Sequence, residues 1–393
     1  MTKIQLFFNG LDHFLPETLT DRIQNGPPLR VKYGADPSAP DLHLGHWVGL
    51  KKLRLLQDLG HTILFLIGDF TAKIGDPTGK SETRKPLTEA QVRANTVTYQ
   101  EQVFKVLNPT KTEIVFNSDW LSKLTTAELV TLASKTTVAR MLERDDFQKR
   151  YTSGRPIGLH EFLYPLFQGY DSVHLKSDLE LCGTDQTFNV LMGRQLQKES
   201  GQAPQAIAVT PLLEGLDGVQ KMSKSLGNTI GLLDSAEQMF GKLMSIPDAL
   251  ILRYLQLLAD FSPEQLENAK QRLTTENPKF IKQELALNVV TQLHNATAAQ
   301  SALAQFEQVF SKKQLPDEMP SLALPSGEFR LDDFIVSAQI IASKKEVHRL
   351  AAQGAITLDG ESVSDIRTPI LPESGTVLKI GKLKYFRLDT HEA

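Results

Sequence analysis

The chain has 393 residues, 41% of them hydrophobic and 23% charged, with a net charge of −3 at pH 7. That length allows two or three domains with their own cores, and the charge balance excludes a wholesale nucleic-acid coat, so RNA contact falls to local basic patches. A single cysteine, Cys182, excludes a disulfide framework and a cysteine-based metal site. The N-terminal MTKIQLFFNG lacks the apolar centre of a signal peptide, and the longest apolar run, Ile63 to Ile67, is too short to cross a bilayer. A cytoplasmic chain with no membrane partner is expected.

In chain order, Leu29 to Tyr33 reads as a β-strand that stops at Gly34. It crosses a loop holding Asp36, Pro37, Ser38 and Pro40 and enters a helix at His43 or Leu44. That helix opens with His43, Gly45 and His46, and a helix N-terminus offers unpaired N–H groups and partial positive charge to a phosphate. His-x-x-His could instead ligate zinc, although no neighbouring Cys, His or carboxylate set completes a site, or be two ordinary polar residues. Gly60 closes the helix, and Thr62 to Phe70 is the next strand. Gly75 to Pro86 then contains Gly79-Lys80-Ser81, which ends like a phosphate-binding P-loop. Ile74, however, stands where the first P-loop glycine belongs, and Pro77 removes a cradle N–H. Lys80, Arg84 and Lys85 are either site cations or part of a solvated loop.

Thr88-x-x-Gln91 and Thr125-x-x-Glu128 are capping boxes, the first opening a helix to about Leu107. Residues from about 120 to 177 therefore read as a helical insertion between two strands. Within it, Tyr164, Gln168 and Asp171 fall at i, i+4 and i+7 on one face, while Phe162, Leu163, Leu166 and Phe167 bury the other. Pro165 demands a kink or a helix start nearby. The polar stripe is either a site wall or a solvated face. Asp171 has no basic residue within a helical turn, so its carboxylate is expected to lie poorly paired.

Leu179 to Cys182 is a short strand ended by Gly183, with Thr184 or Asp185 to cap the following helix and Gln186 to open it. After the strand Gln205 to Thr210, the strand ends at Gly34, Gly183 and Pro211 gather at one sheet edge, where open α/β sheets bind ligands. Next comes Lys221-Met222-Ser223-Lys224-Ser225, between Gly218 and Gly227. Beyond Asn228 the pattern turns helical, with starts at Asp234-x-x-Glu237 and at Ser262-Pro263-Glu264-Gln265. Residues 311–328 read as a linker rich in proline. The tail, 329–393, holds a capped helix carrying Lys344, Lys345 and Arg349 and a hairpin at Asp359-Gly360. Its acidic residues nearly balance its cations, which leaves a plain solvated module as the alternative to an RNA surface.

His43-Leu44-Gly45-His46 resembles the HIGH signature of class I aminoacyl-tRNA synthetases, and Lys221 to Ser225 matches their KMSKS signature letter for letter. Gly75-Asp76-Pro77, Tyr164-x-x-x-Gln168-x-x-Asp171 and Gly183-Thr184-Asp185-Gln186 narrow the resemblance to the bacterial-type tyrosyl-tRNA synthetases, over essentially the whole chain. The resemblance implies an α/β fold with a Rossmann-like parallel-sheet catalytic domain at 1–228 and the helical insertion at about 120–177. It further implies an all-helical anticodon-recognition domain at 229–310, the linker at 311–328 and a small α+β RNA-binding module of αL type at 329–393.

The same resemblance implies activation of L-tyrosine by ATP and transfer of the tyrosyl group to tRNA(Tyr). His43, His46, Lys80, Arg84, Lys221, Lys224 and Ser225 would hold the phosphates, and Asp36, Ser38, Gly45 and Asp185 the rest of ATP. Gly34, Asp76, Tyr164, Gln168, Asp171 and Gln186 would form the tyrosine pocket, with Lys344, Lys345 and Arg349 on the tRNA. Mg²⁺ would accompany ATP, with no protein-bound metal, and two copies would form a homodimer through the insertion around Trp120 to Tyr151. The chain departs from the family pattern in three places. Lys32 stands where many members carry a phenol-donating tyrosine, with Tyr33 one place later on the opposite face. Ser38 replaces a frequent threonine, and KMSKS replaces a divergent KFGKT. A tryptophanyl enzyme would share both signatures without needing Asp171 opposite a phenol, and a non-catalytic RNA-binding relative would have lost one of them.

Overall fold

Short apolar runs build the first sheet. Its strands are β1 (His13–Leu15), β2 (Arg30–Ala35), β3 (Thr62–Ile67), β4 (Thr112–Phe116), β5 (Leu179–Gly183) and β6 (Ala206–Thr210). A computed structural model describes residues 1–37, 41–78, 88–310, 319–325, 327–341, 343–363, 365–381 and 384–389. They fall into two units, Met1–Asp234 with Lys242–Leu293, and Ser235–Gly241 with His294–Ala393. In the first unit the strand order is β1-β6-β5-β2-β3-β4. β2 to β6 are parallel, and β1 pairs antiparallel with β6 at the edge. β3 and β6 are buried almost throughout, which is why TILFLI and AIAVT read as continuous apolar runs. β1 and β4 have no counterpart in the sequence expectation. One has three residues and the other is largely half-exposed, so neither carries a strong strand signal.

The winding positions the site. β3 and β4 lie to one side of β2, β5 and β6 to the other, so the strand order reverses between β2 and β5. β2 pairs with β3 along its full length, from Arg30 to Ala35, yet with β5 only at Val31↔Leu179 and Lys32↔Glu180. Beyond those two pairs the strands part, and a crevice opens between their C-terminal segments.

Three helices of this unit supply site residues: α1 (Leu44–Asp58), α2 (Leu159–Leu175) and α3 (Thr187–Glu199). α2 continues through Pro165, which forfeits the bond to the Glu161 carbonyl and marks no helix end. α2 and α3 cross at glycines: a Cβ on Gly169 would lie 2.9 Å from Leu196 Cδ1 and 3.2 Å from the Gly193 nitrogen. Around the crossing, Leu166, Phe167, Met192 and Leu196 join Leu64, Leu66 and Trp120 in one core. The capping boxes expected at Thr88 and Thr125 form, and the helix start expected at Ser262 proves to be a third, although the helix after Thr88 ends at Val103 and not near Leu107. Asp234 does not cap the helix Ala236–Met244. Ser235 accepts from Gln238 N–H instead, while Asp234 accepts from Gly231 N–H and pairs with Lys242.

The second unit carries β7 (Ser321–Ala323), β8 (Phe329–Arg330), β9 (Ile356–Leu358), β10 (Glu361–Ser362), β11 (Pro369–Ile370), β12 (Thr376–Ile380) and β13 (Lys384–Asp389). The order β10-β9-β12-β13-β7 makes a five-stranded sheet, and β11 pairs with β8. β9 and β10 form the expected hairpin, with Asp359 and Gly360 at φ 46° and 88°, the left-handed pair of a type I′ turn. α4 (Leu331–Ser337) and α5 (Lys344–Ala352), the latter capped by Ser343, close a core of Leu331, Ile335, Val347, Ile356, Leu378 and Leu388.

Candidate active site

The crevice beyond Lys32 and Glu180 is a cavity of about 380 Å³. Its walls bring together Gly34 and Asp36 on and after β2, and His43, Gly45 and His46 at the start of α1. Asp76, then Tyr164, Gln168 and Asp171 on α2, Gly183, Asp185 and Gln186 at the end of β5, and Lys221 and Lys224 complete them. Ser38, Lys80, Arg84 and the side chain of Ser225 lie outside the described residues.

His43 is the N-cap of α1, and its ring lies 4.1 Å from that of His46, centroid to centroid. His43 Nδ1 accepts from Gly45 N–H at 3.2 Å, and His43 N–H donates to His46 Nδ1 at 3.3 Å. Two imidazoles thus replace the usual hydroxyl and carboxylate of a capping box. With both Nδ1 atoms accepting, each neutral ring carries its proton on Nε2. Burial, then His46 and the lysines of the facing loop, push His43 down to about 2. Burial takes His46 to about 4. Both are neutral at pH 7 and serve as N–H donors, so the positive charge at this end comes from elsewhere.

It comes from the loop after β6. Met222 N–H bonds the Leu213 carbonyl, Ser223 N–H reaches Asn228 Oδ1 at 2.8 Å, and Asn228 Nδ2 reaches Asp217 at 2.8 Å. Folded this way, the loop presents Lys221 to Asp185 at 2.9 Å and Lys224 to Asp41. Leu44 N–H donates to the Ile230 carbonyl and Leu232 N–H to the Leu42 carbonyl, so the start of α1 and the segment after the loop are bonded to each other. Asp41 was not among the residues singled out in the sequence. Its partner is 183 residues away, and nothing local marks it.

At the other end, Asp36 accepts from Thr71 Oγ1 and from the Tyr164 hydroxyl, each at 2.8 Å. Asp76 accepts from Thr78 N–H at 2.9 Å and Gln186 Nε2 at 2.8 Å. Asn189 Nδ2 bridges Gln168 Oε1 at 3.0 Å and Gln186 Oε1 at 2.9 Å, and Arg144 holds its carbonyl oxygen at 3.2 Å. Neither Thr184 nor Asp185 caps α3. Gln186 is the N-cap, but its side chain accepts from no backbone N–H of the helix, because it turns to Asp76 and Asn189 while Asp185 turns to Lys221.

Asp171 departs from expectation: its buried carboxylate is paired. Oδ1 accepts from Trp120 Nε1 at 2.8 Å and Oδ2 from Asn117 Nδ2 at 3.3 Å. The Trp120 ring stacks on His174 with centroids 4.4 Å apart. Burial still raises Asp171 to about 7, against the pull of Lys32 and of the two donors. An ionised carboxylate has about four acceptor sites, so one donor on each oxygen leaves room for another. Tyr33 also lines the cavity, but its ring is held elsewhere than beside Lys32. Its ring stacks on Phe65 at 5.7 Å and lies against Gly49, where a Cβ would come within 2.9 Å of it, so it does not stand in for a phenol donor beside Lys32.

The family of class I tRNA synthetases (W and Y) matches residues 24–311, and the SYY-like C-terminal domain of tyrosine–tRNA ligases matches residues 311–388. The tyrosine–tRNA ligase of Moorella thermoacetica is 50% identical, covering 99% of this chain and 96% of its own. That of Carboxydothermus hydrogenoformans is 52% identical over 98% and 97%. The chain belongs to the tyrosine–tRNA ligases of class I. In fold, this ligase is similar to a tyrosyl-tRNA synthetase of Archaeoglobus fulgidus complexed with L-tyrosine, at 23% identity and a TM-score of 0.61, over 77% of this chain and 98% of that one. A tryptophanyl-tRNA synthetase of Plasmodium falciparum reaches a TM-score of 0.55 at 17% identity, over 77% and 81%, so the fold alone does not separate the two specificities.

Elsewhere in the ligase, Lys344 pairs with Asp333 and Arg349 with Glu346, while Lys345 has no ion-pair partner among the described residues. Among the described residues no group of three His, Cys, Asp or Glu could hold a metal ion, and no helix is long and apolar enough to cross a membrane.

The neutral histidines make stability depend on pH. His46 is held at about 4 in the fold against 6.5 for an ordinary imidazole, so the unfolded chain binds more protons below pH 6.5. Stability is therefore lost as pH falls from 6.5 toward 4, by about 1.4 kcal/mol per pH unit for one such ring. His46→Asn keeps an acceptor for the His43 N–H but does not titrate, so its urea midpoint should drop less between pH 7 and pH 5 than that of the parent. Equal drops would contradict a buried neutral ring.

Proposed function

We propose that this tyrosine–tRNA ligase carries out both steps of its reaction in the one crevice. Tyrosine and ATP give tyrosyl-adenylate and pyrophosphate, and the tyrosyl group then passes to the terminal ribose of tRNA(Tyr). The reading rests on how the crevice is divided. Two neutral imidazole donors and two loop lysines stand at one end, with a ring of carboxylates and amides around a buried acceptor at the other.

The carboxylate of the amino acid is its own nucleophile, so the first step needs no covalent residue and no general base. It needs an in-line approach and compensation for charge growing on the leaving pyrophosphate. His43 and His46 offer Nε2–H donors to the phosphates; Lys221 and Lys224 exchange Asp185 and Asp41 for phosphate oxygens, joined by Ser225, Lys80 and Arg84. Asp36, Ser38, Gly45 and Asp185 take the remaining ATP contacts, and Mg²⁺ enters with ATP as part of the substrate. The tyrosine ammonium is read by Asp76, Tyr164, Gln168 and Gln186 beside Gly34, and its phenol donates to Asp171. Phenylalanine would leave the remaining acceptor capacity of that buried carboxylate unfilled and so be rejected. Tyrosyl-tRNA synthetase is the standard example of such rejection, at about 10⁵-fold.

Within this reading residues 1–228 are catalytic, 229–310 recognise the anticodon, and 329–393 hold tRNA through Lys344, Lys345 and Arg349; the linker expected at 311–328 is shorter than that, because Ser321–Ala323 pairs with β13 as part of the second sheet. The protein works in the cytoplasm as a homodimer joined at the insertion, where Val130, Val138, Tyr151 and Leu159 are exposed apolar side chains. Light scattering should give twice 43.7 kDa, and a single-chain mass would contradict the dimer.

Exchange of labelled pyrophosphate into ATP, run with each amino acid in turn, tests the chemistry: tyrosine alone should support it. Lys224→Ala should slow adenylate formation about 10²- to 10³-fold with little change in tyrosine affinity. Exchange driven by tryptophan would overturn the specificity, and an unchanged single-turnover rate in the variant would remove Lys224 from the chemistry.

A further inference from the structure

Lys32 occupies the strand position where a phenol donor would be expected, yet its ammonium has nothing left to offer a substrate. It is wholly buried, and three partners match its three N–H bonds: the Gln168 carbonyl at 2.9 Å, Ser172 Oγ at 2.8 Å and Glu180 Oε1 at 3.0 Å. Glu180 accepts in turn from Ser172 Oγ at 3.1 Å and from Gln205 Nε2. Gln168 and Ser172 belong to the turn of α2 that carries Asp171, and Lys32, Glu180 and Asp171 all line the same cavity. Lys32 and Glu180 are also the last paired positions before β2 and β5 separate.

We infer that the Lys32–Glu180 pair is a positioning device for tyrosine selection: Lys32 pins the α2 turn around Asp171, and the two opposite charges set whether Asp171 is ionised to accept the substrate phenol. This rests on the reading that Asp171 accepts that phenol. A carboxylate taken out of water gives up its charge unless a nearby cation stabilises it. Lys32 is the leading influence opposing the burial of Asp171, and Glu180 acts the other way. The other groups around Asp171 are Trp120 and Asn117, which donate to it, and Tyr164 on its own helix, which also faces Asp36 and Asp76. Cys182 stands on β5 near Glu180 and Lys32, and His174 stacks on the far side of Trp120. Tyr164 and Cys182 are held well above their ordinary values and His174 below its own, so each stays uncharged near pH 7.

The test is equilibrium binding of tyrosine and of phenylalanine to the full chain without ATP, from pH 5.5 to 8.5. The ratio of the two affinities isolates the hydroxyl, because the ammonium and carboxylate of the ligands cancel. For the parent chain the preference for tyrosine should rise through a midpoint near pH 7, as Asp171 ionises and the phenol bond becomes charge-assisted. Lys32→Met should move that midpoint up by about one pH unit, and Glu180→Gln should move it down. A pair that only supports the fold would weaken both ligands alike and would not shift the midpoint in opposite directions. Should Lys32→Met fail to fold, the double variant Lys32→Met with Glu180→Leu replaces a buried pair by apolar groups, a change that folds often tolerate. Its midpoint should lie above that of the parent, since Lys32 has the larger influence. Midpoints that stay put, or move the same way in both single variants, overturn the inference. Asp171→Asn separates the two levels: an intact tyrosine preference in that variant overturns the Asp171 reading and the inference together. A lost preference there, with unmoved midpoints in the Lys32 and Glu180 variants, overturns the inference alone.

Discussion

Where a parallel sheet reverses its winding, two neighbouring strands carry their connections away in opposite directions, and the space above their ends has no crossover to fill it. Here those strands are β2 and β5, held together at their last pair by a buried lysine and glutamate and separated beyond it. The rest of the site follows from that parting. Asp36 follows Gly34 and Ala35 at the end of β2, and Asp185 follows Gly183 at the end of β5, so both ends deliver a small residue and then a carboxylate to the opening. α1 begins at the gap with His43, Gly45 and His46 lining it, and α2 crosses α3 closely enough, through Gly169 and Gly193, to bring Tyr164, Gln168 and Asp171 along its wall.

The ionisation of the crevice is as organised as its shape. A site for a polyphosphate gains little from cations that repel one another when the ligand is not there, and two further charged imidazoles beside Lys221 and Lys224 would do that. Burial keeps His43 and His46 neutral and leaves them as oriented donors, while each lysine sits against an aspartate. Such pairs hold the lysines at the mouth, and a phosphate with more charge can displace the carboxylates. At the far end the balance tips the other way. Asp171 is buried deeply enough that its ionisation is finely set, and the groups that set it lie on three different elements.

Much of this was legible in the sequence, and the boundary of what was legible has a physical cause. His43, Gly45, His46 and Lys221 to Ser225 stand out because chemistry needs those residue types at short fixed spacings, and capping boxes at Thr88, Thr125 and Ser262 announce helices by local bonding alone. Contacts between distant segments leave no such trace. Trp120 donates to Asp171 from 51 residues away, Lys32 reaches Ser172 across 140, and Lys224 finds Asp41 across 183. A carboxylate that looks unpartnered along its own helix therefore turned out to be paired through space. The protonation of the two histidines was equally hidden, since it depends on burial and on lysines from another part of the chain. β1 and β4 leave little sequence signal because short or half-exposed edge strands need little apolar patterning.

The proposed reaction requires one crevice, opened where β2 and β5 part, to hold the tyrosyl-adenylate with its phenol inward and its phosphate under the loop lysines. A crystal structure of the full chain with a non-hydrolysable tyrosyl-adenylate analogue measures this most directly. The phenol oxygen should lie within hydrogen-bonding distance of Asp171, the bridging group should face the Nε2 atoms of His43 and His46, and at least one of Lys221 and Lys224 should be drawn off its aspartate onto the analogue. An analogue bound outside the crevice, or one lying in it with the phenol turned away from Asp171, would rule this arrangement out.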